Sequence, residues 1–193
     1  MKNFDLYQSM LKIRLTNPPR HIWNMNDALK EIGQCTSGPF AENVISEICH
    51  SKFLNYQPRA LVRIAGTELS RFYGKDKFIT DGHVMDHPIH GEFYIESKIY
   101  AFNSATGGTA NEKMAGFLDK ANHYDKPVLL VLSGEFELNT HFESNCILAA
   151  ANLLTPNDYL FSVNNTFIGK NTDELIKSGK LKVCRLSQLN NYL

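Results

Sequence analysis

The stretch of sequence that decides the fold is residues 78–113, FITDGHVMDHPIHGEFYIESKIYAFNSATGGTANEK. From Gly91 to Tyr100 apolar and polar side chains alternate, and a period of two is typical of a β-strand. One face carries residues suited to a core: Phe93, Ile95, Ser97 and Ile99. The other face carries Glu92, Tyr94, Glu96, Lys98 and Tyr100. The pattern predicts a strand with one buried face, and its polar face is either a reaction centre or an exposed charge pair.

The residues after this strand predict a helix and then a second strand. Thr109-Ala110-Asn111-Glu112 fits a capping box, in which threonine caps the helix start and glutamate reaches back to it. Asp125-Lys126-Pro127 is expected to end the helix, and the apolar run from Val128 to Leu132 suits a strand buried on both faces. This strand-helix-strand unit predicts two parallel strands joined by a right-handed crossover.

Helices are predicted before the central stretch. A first helix is indicated by the spacing of Phe4, Tyr7, Leu11 and Ile13, and it is expected to end at Asn17-Pro18-Pro19. A second helix is expected from about Asn24 to Gly33. Ser37-Gly38-Pro39 opens a third, with an apolar stripe of Phe40, Val44, Ile45, Ile48 and Cys49. Glu42 and Glu47 lie off this stripe and are interpreted as solvated charges.

Shorter patterns complete the assignment. Residues 60–64 and 159–163 are expected to be strands. Between them, a further helix that stops at Thr155-Pro156-Asn157 is indicated by Phe142, Cys146, Ile147, Ala150 and Leu154. The fold expected is α/β, with a central mixed β-sheet flanked by helices.

The length favours one domain over residues 1–193, because 193 residues with 43% hydrophobic content can bury one sizeable core. We expect a mainly helical part at 1–55, a central core at 56–135, and a helix and strands at 136–193 that complete it. No run of about eighteen apolar residues occurs, and the start of the chain does not resemble a cleaved leader, so a cytoplasmic protein without a membrane partner is expected. The scattered cysteines suit reduced, buried thiols.

The charge balance excludes a global basic field, because 20 Lys+Arg stand against 20 Asp+Glu. A polyanion would have to be bound by a local patch, and the most cationic segment is residues 59–77, directly before the acidic stretch. Its basic residues are Arg59, Arg63, Arg71, Lys75 and Lys77.

The polar face of the central strand suits metal-assisted hydrolysis. Glu96 and Lys98 are two positions apart, so both project from the same side of the pleat. An aspartate from the neighbouring strand could complete a pocket of two carboxylates, and such oxygen ligands suit Mg²⁺ shared with a substrate phosphate. A lysine beside them could orient or deprotonate the attacking water. This chemistry fits phosphodiester hydrolysis.

At these residues the chain resembles the PD-(D/E)XK nuclease superfamily. The resemblance is carried by Asp81, a turn, and then Ile95-Glu96-Ser97-Lys98; Thr80 stands where the motif name has proline. It implies a restriction-endonuclease-like core, Mg²⁺ bound by Asp81 and Glu96, and catalytic help from Lys98. Asp86 is the alternative first ligand, although Asp86-His87-Pro88 is more typical of a turn.

The function expected from this resemblance is that of a Type II restriction enzyme, a sequence-specific endonuclease of double-stranded DNA. Cutting both strands of a palindromic site requires two centres, which favours a homodimer. A nicking or resolving nuclease of the same superfamily is also compatible. The polar loop and helix start after the strand are expected to contact DNA through Asn103, Ser104, Thr106, Asn111 and Lys113.

Two other classes remain open. Asp86-His87 resembles the start of an HNH nuclease motif, and a cluster of three histidines with one aspartate could hold Zn²⁺: His83, Asp86, His87 and His90. Alternatively, the chain is a non-catalytic α/β binding protein in which the charge pair of Glu96 and Lys98 is only surface.

Overall fold

The computed structural model describes residues 1–16, 37–64, 71, 74, 77–100, 108–138, 142–154 and 166–193, with only the backbone described for some of them. The strands within these ranges are β1 (Tyr56–Pro58), β2 (Leu61–Arg63), β3 (Lys77–Ile79), β4 (Gly82–His87), β5 (Gly91–Tyr100), β6 (Val128–Gly134) and β7 (Leu181–Arg185). The helices are α1 (Lys2–Thr16), α2 (Ser37–Ser51), α3 (Gly108–Asn122), α4 (Phe142–Ala150), α5 (Phe167–Lys177) and α6 (Leu189–Tyr192), the last preceded by a 3₁₀ turn at Leu186–Gln188.

The main sheet has the strand order β1-β4-β5-β6-β7 and mixes both kinds of pairing. β4 is antiparallel to β1 and to β5, whereas β5, β6 and β7 are parallel to one another. β2 and β3 form a separate two-stranded antiparallel ribbon. This is the α/β fold with a mixed sheet that the sequence predicts, and the strand-helix-strand prediction of parallel pairing between β5 and β6 is confirmed.

Helices cover both faces of the main sheet. One core packs α1, α2 and α6 against one face, with Phe93 and Ile95 of β5 contributing to it. The other core packs α3, α4 and α5 against the opposite face, where Tyr94 lies. Every residue of β6 is buried, as expected for a strand covered on both sides.

The polar face of β5 is therefore covered, which corrects one alternative drawn from the sequence. Tyr94 is 5% exposed and Glu96 8% exposed, so the side predicted to be either reactive or plainly solvated lies under the α3 layer. The interpretation of Glu96 and Lys98 as an exposed charge pair on an open sheet is therefore wrong. The alternation described the strand correctly, but it could not show that a helix covers its charged side.

Most predicted elements are present, with displaced ends. α1, α2, β2, β5, α3 and β6 occur where the sequence places them. α3 begins at Gly108, so Thr109 lies within the helix and not at the cap position. α4 ends at Ala150, earlier than predicted, and Asn152 follows with a left-handed φ of 56°. The predicted helix at 24–33 and strand at 159–163 lie outside the described residues.

Two further expectations concern membranes and cysteines. Within the described ranges, none of the helices combines the length and apolar character needed to cross a membrane. Cys49, Cys146 and Cys184 are buried thiols that form no disulfide, as predicted, while Cys35 lies outside the described residues. Burial raises the pKa of the Cys49 thiol to about 12, so this thiol is protonated and unreactive at neutral pH.

Candidate active site

Glu96 and Lys98 lie side by side on β5. Their backbones pair with Leu130 and Leu132 of β6, which fixes both side chains on the α3 side of the sheet. The Lys98 ammonium donates to Glu96 Oε2 at 2.9 Å and to the backbone oxygen of Ser97 at 3.3 Å. The predicted pair is thus formed, and it is largely withdrawn from solvent.

Asp81 is brought to the same place by the β4–β5 hairpin. It directly precedes β4, and its Oδ2 accepts a hydrogen bond of 2.6 Å from the backbone N–H of Ser97, between Glu96 and Lys98. Its own backbone oxygen accepts from the N–H of Arg59 at 3.1 Å and the hydroxyl of Tyr56 at 3.4 Å. These bonds hold the carboxylate of Asp81 against the strand that carries the other two predicted residues.

The position before Asp81, where the motif name has proline, is filled by a fully buried threonine. Thr80 is 0% exposed, and its hydroxyl donates to the backbone oxygens of Ala60 at 3.3 Å and Gly82 at 3.1 Å. Glycine suits position 82, because a Cβ there would clash with the ring of Tyr56. Local packing therefore fixes the backbone on both sides of Asp81.

The electrostatics of the cluster resist further negative charge. The pKa of Glu96 is raised, first by burial and also by the charge of Asp81, while Lys98 and a hydrogen bond from Tyr124 act in the opposite direction. A carboxylate beside a second carboxylate prefers the protonated form unless a cation joins them. The arrangement is thus one that a cation would stabilise.

Glu42 of α2 also belongs to this electrostatic cluster, although the sequence suggested a solvated charge. Its pKa is raised by partial burial and then by the charge of Asp81, and the charge of Arg59 opposes the rise. No local pattern in α2 could have revealed this, because the relation depends on how the helix packs on the sheet. Glu47 is also misjudged by sequence, since it accepts the N–H groups of Asn3 and Phe4 at the start of α1.

Tyr124, just after α3, is a second neighbour that sequence reasoning missed. Its side chain is 4% exposed, and its hydroxyl donates to Glu96 Oε1 at 3.4 Å. Burial and then the charge of Glu96 raise its pKa far above the ordinary value, so the hydroxyl keeps its proton. With Lys98 on Oε2 and Tyr124 on Oε1, both oxygens of Glu96 are held in place.

A cavity of about 550 Å³ opens beside this pair. Lysines and aromatic rings dominate its wall: Lys98 and Lys120, with Phe78, Phe117 and Tyr124. The Lys98 ammonium lies 5.2 Å from the centre of the Phe117 ring, and that of Lys120 lies 4.8 Å from the Phe78 ring. A cavity with two cationic groups and one buried carboxylate, Glu96, at its wall suits a phosphorylated substrate.

Two carboxylates of this cluster, Asp81 and Glu96, are the residues that could take part in holding a metal ion. Across the described part of the chain, no group of three or more His, Cys, Asp or Glu residues is arranged to hold a metal ion. Mg²⁺ commonly takes one or two carboxylates and fills its other positions with water and substrate phosphate. Asp81 and Glu96 are a pair of that kind.

Asp86 and His87 are neighbours in sequence but differ in their surroundings. The Asp86 side chain is exposed, whereas His87 is 3% exposed and its Nδ1 accepts the N–H groups of Ile89 at 3.1 Å and His90 at 3.0 Å. Its Nε2 lies 2.9 Å from the backbone oxygen of Leu193. Both ring nitrogens of His87 are thus engaged in holding the hairpin turn and the last residue of the chain.

The other two histidines have separate partners. His83 Nε2 lies 2.9 Å from Glu92 Oε1, and the ring of His90 stacks on Tyr192 with centroids 4.7 Å apart. The zinc and HNH alternatives therefore receive no support from the geometry of these residues. Asp86 likewise makes no described contact with Glu96 or Lys98, while Asp81 reaches the strand between them.

The residues expected to contact DNA cannot be placed. Asn103, Ser104 and Thr106 lie outside the described residues. Asn111 and Lys113 lie in the first turns of α3, where the structure describes the backbone alone. The expectation for these five residues stays a prediction.

Comparisons of the chain with models of protein families, with curated protein sequences and with solved structures found no match. Any function assigned to the chain depends on the residues described above.

Proposed function

We propose that the chain is a Mg²⁺-dependent endonuclease that hydrolyses phosphodiester bonds in double-stranded DNA, in the manner of a Type II restriction enzyme. One observation carries the proposal. The carboxylate of Asp81 is hydrogen-bonded to the backbone between Glu96 and Lys98, and Glu96 and Lys98 line one cavity, so three residues with the required chemistry lie close together. The exposed hairpin containing Asp86 offers no comparable grouping.

Asp81 and Glu96 would hold the metal ion, which would stabilise the charge that develops on the phosphate during hydrolysis. Lys98 has a distinct task. An ammonium group has three hydrogens, and the described acceptors, Glu96 Oε2 and the oxygen of Ser97, take two of them. The third is available to orient the attacking water or to donate to a phosphate oxygen.

Tyr124 acts through Glu96. By donating to Oε1 it keeps the carboxylate in one orientation and favours its charged form, which is the form that binds a cation. Lys120 lies on the same cavity wall and offers positive charge to a phosphate of the DNA strand. Two such centres, related by a twofold axis in a homodimer, would cut both strands of a palindromic site.

The proposal is tested by incubating the purified protein with plasmid and phage DNA in the presence of Mg²⁺ and sequencing the ends produced. We expect discrete fragments with Mg²⁺ and none with EDTA. Lys98→Ala is the control that separates this activity from a contaminant, since it removes the ammonium while both proposed metal ligands stay in the chain. Absence of cleavage of every DNA tested would favour the non-catalytic binding protein.

A further inference from the structure

The β2–β3 ribbon has two faces of different character. The residues that pair across it are Leu61 with Ile79, Val62 with Phe78, and Arg63 with Lys77. Val62 is 0% exposed and Phe78 packs against the same core, so this side of the ribbon is anchored to the body of the protein. Leu61 is 60% exposed and Ile79 is 57% exposed, so the opposite side presents an apolar pair to the surroundings.

This apolar pair is continuous because of the strand register. Side chains directly opposite each other in an antiparallel pair have Cβ atoms about 5 Å apart, so Leu61 and Ile79 form a single patch. A lone exposed leucine needs no explanation, but a cross-strand pair of large aliphatic side chains on a two-stranded ribbon indicates a surface that is covered in use.

Positive charge surrounds this patch. Arg59 and Lys77, at the two ends of the ribbon segment, have exposed side chains. A patch that is apolar at its centre and cationic at its margin is complementary to a polyanion that also has apolar edges.

The ribbon is joined to the candidate active site through backbone hydrogen bonds. The N–H of Thr80 donates to the oxygen of Ala60 at 2.9 Å, and that of Arg59 donates to the oxygen of Asp81 at 3.1 Å. Arg59 is held in the left-handed region with a φ of 53°, a conformation that a non-glycine residue adopts at some energetic cost. Ile79 lines the same cavity as Glu96 and Lys98.

From this placement we infer that the outer face of the β2–β3 ribbon lies against duplex DNA, a conclusion that rests on the proposed nuclease function for its occupant. A two-stranded ribbon fits the major groove. Lys77 and Arg59 contact phosphates, and Leu61 and Ile79 pack against apolar base edges such as the thymine methyl group. The contact sets the position of the strand that enters the cavity beside Asp81.

The test is equilibrium binding of a fluorescent duplex of random sequence and about 30 base pairs, long enough to cover a standard protein footprint, measured without Mg²⁺ over a series of KCl concentrations. Lys77→Ala is expected to reduce the slope of log K against log salt concentration by about one in magnitude, because a single phosphate contact is lost. The double variant Leu61→Ser/Ile79→Ser is expected to weaken binding about tenfold with the salt dependence unchanged.

Matched controls are available on α5. Lys170 is exposed and Phe167 is 69% exposed, both away from the ribbon, so Lys170→Ala and Phe167→Ser should bind the duplex as the unaltered protein does. Thermal unfolding of each variant shows that the fold is kept, which is expected because every altered side chain is exposed.

Three results would overturn the inference. They are unchanged binding by the ribbon variants, no duplex binding by the unaltered protein at any salt concentration, and a loss of binding that accompanies conversion of a dimer to a monomer in light scattering. The last would show that the ribbon contacts a second copy of the chain. The binding assay needs no cleavage. A protein that binds duplex DNA through the ribbon but never cuts it would therefore contradict the nuclease proposal and leave the inference about the ribbon intact.

Discussion

Two buried glutamates, Glu96 in β5 and Glu137 just after β6, differ in the charges and the open space around them. They are 8% and 4% exposed, and burial is the largest cause that raises the pKa of each. Glu137 accepts from the hydroxyl of Tyr7 at 2.8 Å and the N–H of Ser187 at 3.2 Å. Glu96 has hydrogen-bond donors too, but it also has a second carboxylate nearby and a cavity at its side.

The difference shows what separates a structural carboxylate from a candidate reactive one. Glu137 joins α1 to the end of β6, because Tyr7 donates to Glu137 and accepts from the N–H of Gly134 at 2.8 Å. Arg185 adds a favourable positive charge there. Around Glu96, the charge of Asp81 opposes ionisation. A buried carboxylate alone is therefore weak evidence for function, whereas like charges held together beside a cavity are stronger evidence.

The largest expected effect comes from replacing each glutamate in turn. Glu96→Gln should lower DNA cleavage by about a thousandfold or more, since it removes a proposed metal ligand, while the free energy of unfolding stays similar because the lost ion pair with Lys98 is offset by the loss of a charge whose burial is unfavourable. Glu137→Ala should lower the free energy of unfolding by about 2 kcal/mol, because the buried hydroxyl of Tyr7 and the N–H of Ser187 lose their acceptor. Cleavage assays and urea denaturation of both variants check this.

Under native conditions Glu137→Ala should cleave DNA at nearly the rate of the unaltered protein. The comparison fails if the two variants exchange behaviour, with Glu96→Gln unfolding easily and Glu137→Ala inactive but stable.

Metal binding should distinguish the two aspartates of the hairpin. Mg²⁺ is expected to raise the unfolding temperature at neutral pH, and binding at a hundred times the dissociation constant adds about 2.7 kcal/mol of stability. Asp81→Asn should abolish this rise and the cleavage activity, whereas Asp86→Asn should retain both, because the side chain of Asp86 is exposed and distant from Glu96. A Mg²⁺ series followed by thermal unfolding and by cleavage measures the effect.

The assignment of the first ligand would be reversed if Asp86→Asn lost both the Mg²⁺-dependent rise in unfolding temperature and the cleavage activity, while Asp81→Asn kept them.

A smaller effect is expected from Tyr124→Phe. The hydrogen bond from Tyr124 lowers the pKa of Glu96, so its removal raises that pKa further. Under the proposed function the charged form of Glu96 is the form that binds the metal, so the acid limb of the pH profile for cleavage should move to higher pH. The rate at neutral pH should fall by less than about tenfold.

Glu137→Gln is a suitable control for the Tyr124 experiment, because it alters a buried glutamate without touching the cavity. A pH profile of Tyr124→Phe that superimposes on that of the unaltered protein would show that Tyr124 serves packing only.

The sequence revealed the elements whose signals are local. Alternation over residues 91–100 and the apolar run after Pro127 predict β5 and β6, and the spacing of Glu96 and Lys98 places them on one side of the strand. Turn chemistry alone favours Asp81 over Asp86 as the first metal ligand in the sequence. In the structure, Asp81 is the aspartate whose carboxylate reaches β5.

The remaining features depend on contacts between distant parts of the chain. Tyr124 is 28 residues from Glu96, and Glu42 lies on a helix before the hairpin. Neither could be linked to the site without knowledge of the packing of α2 and α3. His87 shows the reverse error, since a histidine that fixes a turn through its ring nitrogen has the same sequence signal as a metal ligand.

The parallel pairing of β5 with β6 has a consequence for how the protein is made. The β4–β5 hairpin that places Asp81 beside Ser97 needs only local chain closure, and all its residues are synthesised before α3 begins. Glu96 stays uncovered until α3 and β6 follow, and the strand beyond β6 begins only at Leu181. During synthesis, therefore, the cluster of Asp81 and Glu96 reaches its buried form only after the later elements have packed on the hairpin.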